Sequence, residues 1–231
     1  MNMVKPTIPV LLSLNAGYVD TAGFVALQGL FTAHVTGNFV TFGAAMVLGT
    51  SGAVAKLLAL PVFCVVVLVA RYISLGFPSL GWPVLRTMLG VKTALLVTGC
   101  GLAIGLGPFA NGDTWQAIVT GMTLVSAMAI QNAVQRVHLG SAPPTTLMTG
   151  TTTQIMVDLA DLLRGVAPEA GTAIRARLLR LLASVVAFAL GCAGAALTFA
   201  FLGVLCFVIP PILSAWVLMK HMVAPETGVL P

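Results

Sequence analysis

The sequence predicts an all-α membrane protein, and three observations support that fold class. Hydrophobic residues make up 58% of the 231 residues, charged residues only 7%, and the mean hydropathy is +1.05. Soluble domains carry about 25% charged residues, and a soluble fold of this length could not cover so much apolar surface. The apolar residues also fall into runs long enough to cross a bilayer. We therefore expect one polytopic membrane domain, a helix bundle over residues 1–231.

Six apolar runs reach the length of about 20 residues that a transmembrane helix needs. They are residues 8–30, 56–77, 88–107, 115–137, 178–202 and 204–222. Two further segments, 36–51 and 149–164, are shorter and more polar, and we interpret them as broken or re-entrant helices. The first run resembles a signal peptide, but Asp20 interrupts it and no clean cleavage site follows. It is interpreted as a retained first span.

The two halves of the chain, roughly residues 1–110 and 111–231, carry corresponding motifs. Both short polar segments open on a Thr-Gly pair, and Asp20 and Asn132 precede these pairs by nearly the same distance. Sequences built by duplication in transporters and channels show this kind of internal repeat. The chain is therefore predicted to consist of two related halves.

All 11 Lys and Arg residues, Lys92 among them, can be assigned to loops or helix ends, and their placement favours six spans over eight. If both short segments cross the bilayer, seven of the 11 Lys and Arg residues lie in the cytoplasm. If they return to the face from which they entered, ten of the 11 do, all except Lys56. Since cytoplasmic loops carry the excess of Lys and Arg, the second arrangement is preferred. Three crossings in each half then make the repeat inverted and place both termini in the cytoplasm.

Four stretches of the chain carry a family resemblance: AGYVDTAGF, FTAHVTGNFV, AMAIQNA, and TTLMTGTTTQ with Asp158-Leu159 following. Over almost its full length the chain resembles the YoaK family of bacterial membrane proteins, a domain of unknown function. The second half departs somewhat, with Arg136 and His138 ahead of a proline-rich loop. The resemblance implies a bacterial source and the inner cell membrane, and it implies no substrate, reaction or site residue.

Asp20 is the first candidate for a functional residue because it lies near the middle of the first span. A carboxylate there costs about 2.5–3.5 kcal/mol on insertion scales, so it needs a partner or a water-filled cavity. It could relay a proton or bind a cation, or it could pin the first helix to a broken one. Asn132, the corresponding residue of the second half, cannot ionise.

The residues that open the short segments are the second set of candidates: Thr36, Gly37, Asn38, Thr149, Gly150 and Thr151. A helix that begins there directs free N–H groups and its positive dipole end into the dip. In an inverted repeat the two helix starts would meet near the midplane and offer a place for an anion or for the polar end of a neutral solute. Alternatively, these small residues only allow helices to pack closely.

Other polar residues have simpler interpretations. Asp158 lies one turn from Asp161, and either an ion pair with Arg164 or a proton relay fits this position, where a carboxylate beyond the short helix could also load a solute site. His34 and His138 occupy positions that do not correspond between the halves, so we interpret both as interfacial. The sequence shows no spacing typical of metal ligands, and we predict neither a metal nor a cofactor.

Two functions remain open at this point. The first is a transporter or channel for a small polar or anionic solute, and the second is a non-transporting membrane subunit or sensor that binds a partner protein. No Walker loop, dinucleotide fingerprint, HExxH or GxSxG motif is present, so an enzyme is not expected. Besides the lipid bilayer and an unidentified solute or ion, the candidate partner is a second copy in a homodimer, since six short spans make a thin wall. Nucleic acid is not expected, because membrane orientation explains the basic residues.

Overall fold

The computed structural model describes residues 7–77 and 81–223. Over these ranges the chain is helical and forms no strand. The α-helices are α1 Ile8–Ala26, α2 Asn38–Leu48, α3 Ala53–Ser74, α4 Val84–Leu106, α5 Trp115–His138, α6 Met148–Arg164, α7 Pro168–Leu202 and α8 Ile209–Val223, and 3-10 turns cover Val35–Gly37 and Gly203–Val208. The all-α prediction is confirmed. Both chain ends, and with them the predicted cytoplasmic termini, lie outside the described residues.

Among the described residues, five helical segments are long and apolar enough to cross a membrane. They are α1, α3, α4, α5 and the run Pro168–Lys220, in which α7 leads into α8. The 53 residues of that run would extend about 80 Å as one straight helix, far beyond a hydrocarbon core of about 30 Å. The run is broken at Gly203, whose φ of +56° favours glycine, and α8 then packs against α1 and α4.

Helix α7 begins earlier than the sequence predicts. The predicted span starts at residue 178, whereas α7 begins at Pro168 and runs for 35 residues. Pro168 stands in the first turn, where no backbone N–H is needed, and Glu169 complements the positive end of the helix. A hydropathy window misses the start of α7 because the residues there are helical without being apolar. The predicted loop is therefore reduced to the residues between Arg164 and Pro168.

The closest helix packing joins the two halves of the chain. Helix α1 packs against α7, and in the same way α5 packs against α3. At the α1–α7 crossing, a Cβ atom added to Gly17 would lie less than 3.0 Å from the carbonyl oxygen of Phe188, and one added to Gly191 would lie equally close to that of Leu14. The two backbones therefore touch directly, as small residues allow between helices in membranes.

The end of α1 and the start of α3 lie together at one end of the bundle. Gln28 donates from Nε2 to the carbonyl oxygen of Phe109 at 2.9 Å, and its own carbonyl oxygen lies beside Gly52. Asp113 accepts the N–H groups of Gly52 and Val54, each at 2.8 Å, and so caps the first turn of α3. The chain between residues 28 and 52, including α2, therefore leaves this end of the bundle and returns to it.

A corresponding arrangement occurs at the end of the bundle where α1 begins. There, Thr7 and Pro9 share the lining of a cavity of about 720 Å³ with residues 141–143, which follow α5, and with residues of α7 between Leu179 and Ser184. The chain that leaves α5 and passes through α6 therefore also returns to the end from which it started. The two returning segments stand at opposite ends of α1.

One basic residue is not where the sequence predicts it. Lys92 was assigned to a helix end, but it lies more than two turns inside α4 and is fully buried. Its Nζ makes no hydrogen bond to the part of the chain described here. The assignment was wrong because α4 begins at Val84, four residues before the apolar run. Lys56, by contrast, reaches the carbonyl oxygen of Ser51 at 3.1 Å.

Candidate functional site

The segment between α1 and α2 is held in an irregular conformation by side chains. After α1, Gln28 takes a φ of +56°, and the chain turns back before the 3-10 turn Val35–Gly37. Asn38, at the start of α2, accepts the Phe31 N–H through Oδ1 at 2.9 Å and donates through Nδ2 to the Phe31 carbonyl oxygen at 2.7 Å. Asn38 therefore closes the loop and does not face a solute.

Asp20 is the second residue that fixes this loop. Its Oδ1 accepts hydrogen bonds from three successive backbone N–H groups, those of Thr32, Ala33 and His34, at 2.8, 2.7 and 3.3 Å. Its Oδ2 lies 2.8 Å from Nδ1 of His34. The carboxyl is 4% exposed, and these donors replace the water that it loses. Asp20 therefore fixes the loop to α1, ahead of the start of α2 whose N–H groups the sequence assigns to an anionic solute.

The Asp20–His34 pair lines a cavity of about 510 Å³, named here the first cavity. Its wall is formed by α1, the irregular loop and α7, and consists of Asp20, Thr21, Phe24, Phe31, His34, Thr36, Gly37, Phe188 and Cys192. The Phe24 and Phe31 rings lie 4.7 Å apart, and Phe188 meets His34 edge to face at 5.4 Å. The cavity is apolar and aromatic, with one carboxylate–imidazole pair, as small-molecule sites commonly are.

A second cavity, of about 420 Å³, lies between α3, α5 and the segment that follows α5. Asn132 takes the place of Asp20, and its Oδ1 accepts a hydrogen bond from the Thr146 hydroxyl at 2.7 Å. Phe63 of α3 also lines this cavity, and Arg136 adds a positive charge to the wall. As with α1, a side chain of α5 therefore bonds to the loop that follows its helix. Within the described part of the chain, the wall of this second cavity contains no carboxylate and no imidazole.

The residues that open α6 line neither cavity. Thr149 and Gly150 are exposed, and the Thr151 hydroxyl donates to the Leu147 carbonyl oxygen at 2.8 Å, within its own helix. Helix α2 packs mainly against α3 and α6 mainly against α7. The starts of α2 and α6 therefore do not form the shared midplane site that the sequence suggested. The tightly packed long helices hold these two starts on different sides of the bundle.

Asp158 is paired with Arg177 and not with Arg164. Arg177 donates from Nε and Nη2 to the two carboxylate oxygens at 2.9 and 2.6 Å, and Gln154 donates to Oδ1 at 2.7 Å. The early start of α7 brings Arg177 alongside α6, which the sequence did not predict. These hydrogen bonds lower the pKa of the Asp158 carboxyl, with Arg177 as the main cause.

This ion pair gives a pH-dependent prediction. Since the folded-state pKa of Asp158 is depressed, its stabilisation is present above the ordinary carboxyl pKa of about 4 and is lost as the pH falls below it. Asp158→Asn should therefore destabilise the protein by about 2 kcal/mol at pH 7, a figure kept small because Arg177 is half exposed. Thermal unfolding in detergent at pH 7 and below pH 4 measures the difference. Asp161→Asn is the matched control, and a pH-independent difference would contradict the prediction.

His34 is the functional candidate that the sequence interpretation missed. It was interpreted as interfacial, yet it contacts the one carboxylate of the first span, 14 residues away. Its position inside the break that follows the first span was the available signal. His138 ends α5, beside a small cavity that Arg71 also lines. Within residues 7–77 and 81–220, no three His, Cys, Asp or Glu side chains are grouped to hold a metal ion.

Comparison with known proteins gives one match. Residues 8–219 match the model of a family described as "Protein of unknown function (DUF1275)". The match covers most of the chain, and it confirms the resemblance found in the sequence, because the YoaK name is consistent with this family. Neither the curated proteins nor the solved structures contain a match.

Proposed function

The chain belongs to the DUF1275 family, and from this premise and the geometry of its first cavity we propose that it is a membrane transporter or channel for a small solute. The observation that supports this most directly is the pair formed by the buried Asp20 and the half-buried His34 in a cavity beside a broken helix. Ionisable groups within membrane proteins typically face substrate pathways or relay protons. Transporters commonly place their sites at such discontinuous helices.

An inverted repeat of six spans is the topology that we propose. If residues 36–51 crossed the bilayer, Gln28 and Gly52 would be about 30 Å apart, whereas they are in contact. The segment after α5 returns in the same way at the opposite end of α1. Helix α1 of the first half packs against α7 of the second, and α5 of the second half packs against α3 of the first. This pattern also fits a repeat. We propose the inner membrane of a bacterium, with both termini in the cytoplasm, because this orientation keeps nine of the 11 basic residues on the cytoplasmic side, with Lys92 buried in α4 and Lys56 on the opposite side.

Cysteine labelling tests this topology. In a variant without the native cysteines, Ala53→Cys should react with a membrane-impermeant maleimide added to intact cells. Gly140→Cys should react only after the cells are permeabilised. These sites follow α2 and α5, where six and eight spans place the chain on opposite faces. Protection of Ala53→Cys in intact cells would refute the six-span arrangement.

The Asp20–His34 pair is well suited to bind or release a proton next to a solute. The carboxylate holds the Nδ1 side of the imidazole, which orients the ring and leaves Nε2 as the nitrogen that Asp20 does not engage. A ring nitrogen in that position can accept a proton or a hydrogen bond from a bound solute. The loop N–H groups are bound by Oδ1 alone. Asp20 can therefore hold the loop and orient the His34 ring at the same time, without rearrangement of the helices.

Reconstitution in liposomes tests transport directly. Purified wild-type protein should carry at least one solute from a panel of ions and small metabolites, and Asp20→Asn should reduce that flux at least tenfold. His34→Asn should act similarly, because asparagine keeps a donor near the Nδ1 position but lacks Nε2. Glu169→Gln, at the exposed start of α7, serves as the control with unchanged flux. Silence of the wild type across the whole panel would overturn the proposal.

A second candidate function is a non-transporting subunit that binds a partner through α2. This helix exposes large apolar side chains, with Val40 76% and Val47 86% exposed. In that case the liposomes show no flux, and the protein purifies in mild detergent together with a stoichiometric partner. Val47→Asp should release that partner. Crosslinking through Val47→Cys distinguishes a second copy of this chain from a different protein.

A further inference from the structure

The chemistry of the first cavity also indicates the charge of its ligand. We propose that this cavity takes a small organic cation, such as an alkylated ammonium group, and excludes anions of the same shape. This inference deepens the proposed function and rests on the first cavity being its solute site.

The first argument is that three successive backbone donors of the loop ahead of α2 are already occupied. Anion sites at helix starts depend on backbone N–H groups that point at the ligand. Here the N–H groups of Thr32, Ala33 and His34 all point at Asp20 Oδ1. The protein thus provides its own anion, and a second one would meet a carboxylate in place of N–H donors.

The second argument is the polarity of the groups that remain. Asp20 carries the negative charge of the cavity, and no Lys or Arg is part of its wall. A neutral His34 that donates through Nδ1 to Asp20 presents a lone pair at Nε2. Asp20, and His34 while its ring is neutral, accept hydrogen bonds and favour a positive ligand. The second cavity has the opposite character, with Arg136 in its wall and the neutral Asn132 in the place of Asp20.

The third argument is the aromatic wall. Phe24, Phe31 and Phe188 line the same cavity as the carboxylate, and aromatic faces attract cations, with quaternary ammonium groups as the best-known ligands. An organic cation also has less hydration to lose than a bare metal ion when it enters an apolar site. The volume of about 510 Å³ lies within the range of about 300–1,000 Å³ that small-molecule sites occupy.

Three probes of the same shape test the charge selectivity. Choline, its neutral carbon analogue 3,3-dimethyl-1-butanol and the anion 3,3-dimethylbutyrate are titrated into the purified protein in detergent by calorimetry. Choline should bind at least tenfold more tightly than the neutral analogue, and the anion should bind least. Equal binding of choline and the alcohol, tighter binding of the anion, or no binding of any probe would overturn the proposal.

Matched variants assign the binding to this cavity. Asp20→Asn should weaken choline binding at least tenfold. Phe188→Leu, which leaves the Asp20 hydrogen bonds in place, should weaken it about threefold to tenfold, whereas Phe63→Leu in the second cavity should have no effect. Equal effects of the two Phe variants would overturn the assignment. Because this is a binding measurement, choline binding without flux refutes only the transport function, whereas flux of another solute without choline binding refutes only the cation site.

Discussion

A methyl group at Gly17 or Gly191 is expected to destabilise the protein by about 3 kcal/mol or more, the upper range for overpacking a core. Either added Cβ atom would lie less than 3.0 Å from a carbonyl oxygen of the facing helix. A backbone oxygen cannot turn aside as a side chain does, so α1 and α7 would have to move apart. Thermal unfolding of Gly17→Ala and Gly191→Ala in detergent should show midpoints lower by roughly 5–10 °C.

Gly194→Ala is the matched control for this prediction. It lies one turn from Gly191 on α7, and its added Cβ would meet only the Tyr18 ring, at 3.7 Å. An Ala there also favours the helix by about 0.5–1 kcal/mol. Its midpoint should therefore stay near that of the wild type or rise slightly. Equal midpoints for Gly191→Ala and Gly194→Ala would show that the crossing is not as close as the structure places it.

Asp20→Ala is expected to destabilise the loop between α1 and α2 by roughly 3–5 kcal/mol. The variant leaves the buried N–H groups of Thr32 and Ala33 without an acceptor, and each unsatisfied group costs about 1–3 kcal/mol. Asp20→Asn keeps one acceptor oxygen and should lose less, about 1–2 kcal/mol. Hydrogen exchange at residues 32–34, measured by mass spectrometry, should accelerate strongly in the alanine variant and weakly in the asparagine variant.

Asn132→Ala provides the comparison from the other half. Asn132 accepts one hydrogen bond, from the Thr146 hydroxyl, so its loss should cost about 1 kcal/mol and leave exchange at residues 32–34 unchanged. Unchanged exchange in Asp20→Ala would contradict the structural role of Asp20. If Asp20→Asn keeps the loop intact and still loses flux, the structural and functional roles of Asp20 are separate.

Some parts of the site could be predicted from local sequence alone. A carboxylate in the middle of an apolar run needs a partner, so Asp20 stood out without knowledge of the fold. The Thr-Gly pairs marked the places where a span is interrupted, and α2 does begin next to the first pair. The identity of the partner did not follow, because the loop geometry that brings His34 to Asp20 depends on the turn at Gln28 and on Asn38.

Other predictions failed for a shared reason. The partner of Asp158 was expected to be Arg164, one turn and a half away on the same helix, but Arg177 of the next helix reaches it. Lys92 was expected at the membrane surface, but α4 carries it into the bundle. In both cases the sequence interpretation considered neighbours along the chain, whereas the start of a helix and the face that it buries decided the contact.

Composition and hydropathy determined by themselves that this is a helical membrane protein, and they located its long apolar helices and its two short ones. Both properties depend on the free energy of transferring local segments out of water, which each segment expresses on its own. Only the tertiary structure decided that the two Thr-Gly segments stand apart, that two cavities form between residues of both halves, and that one cavity carries an acid–base pair while the other carries an arginine. Those features depend on which faces of α1, α3, α5 and α7 meet, and close backbone packing at a few glycines sets these contacts between residues far apart in sequence.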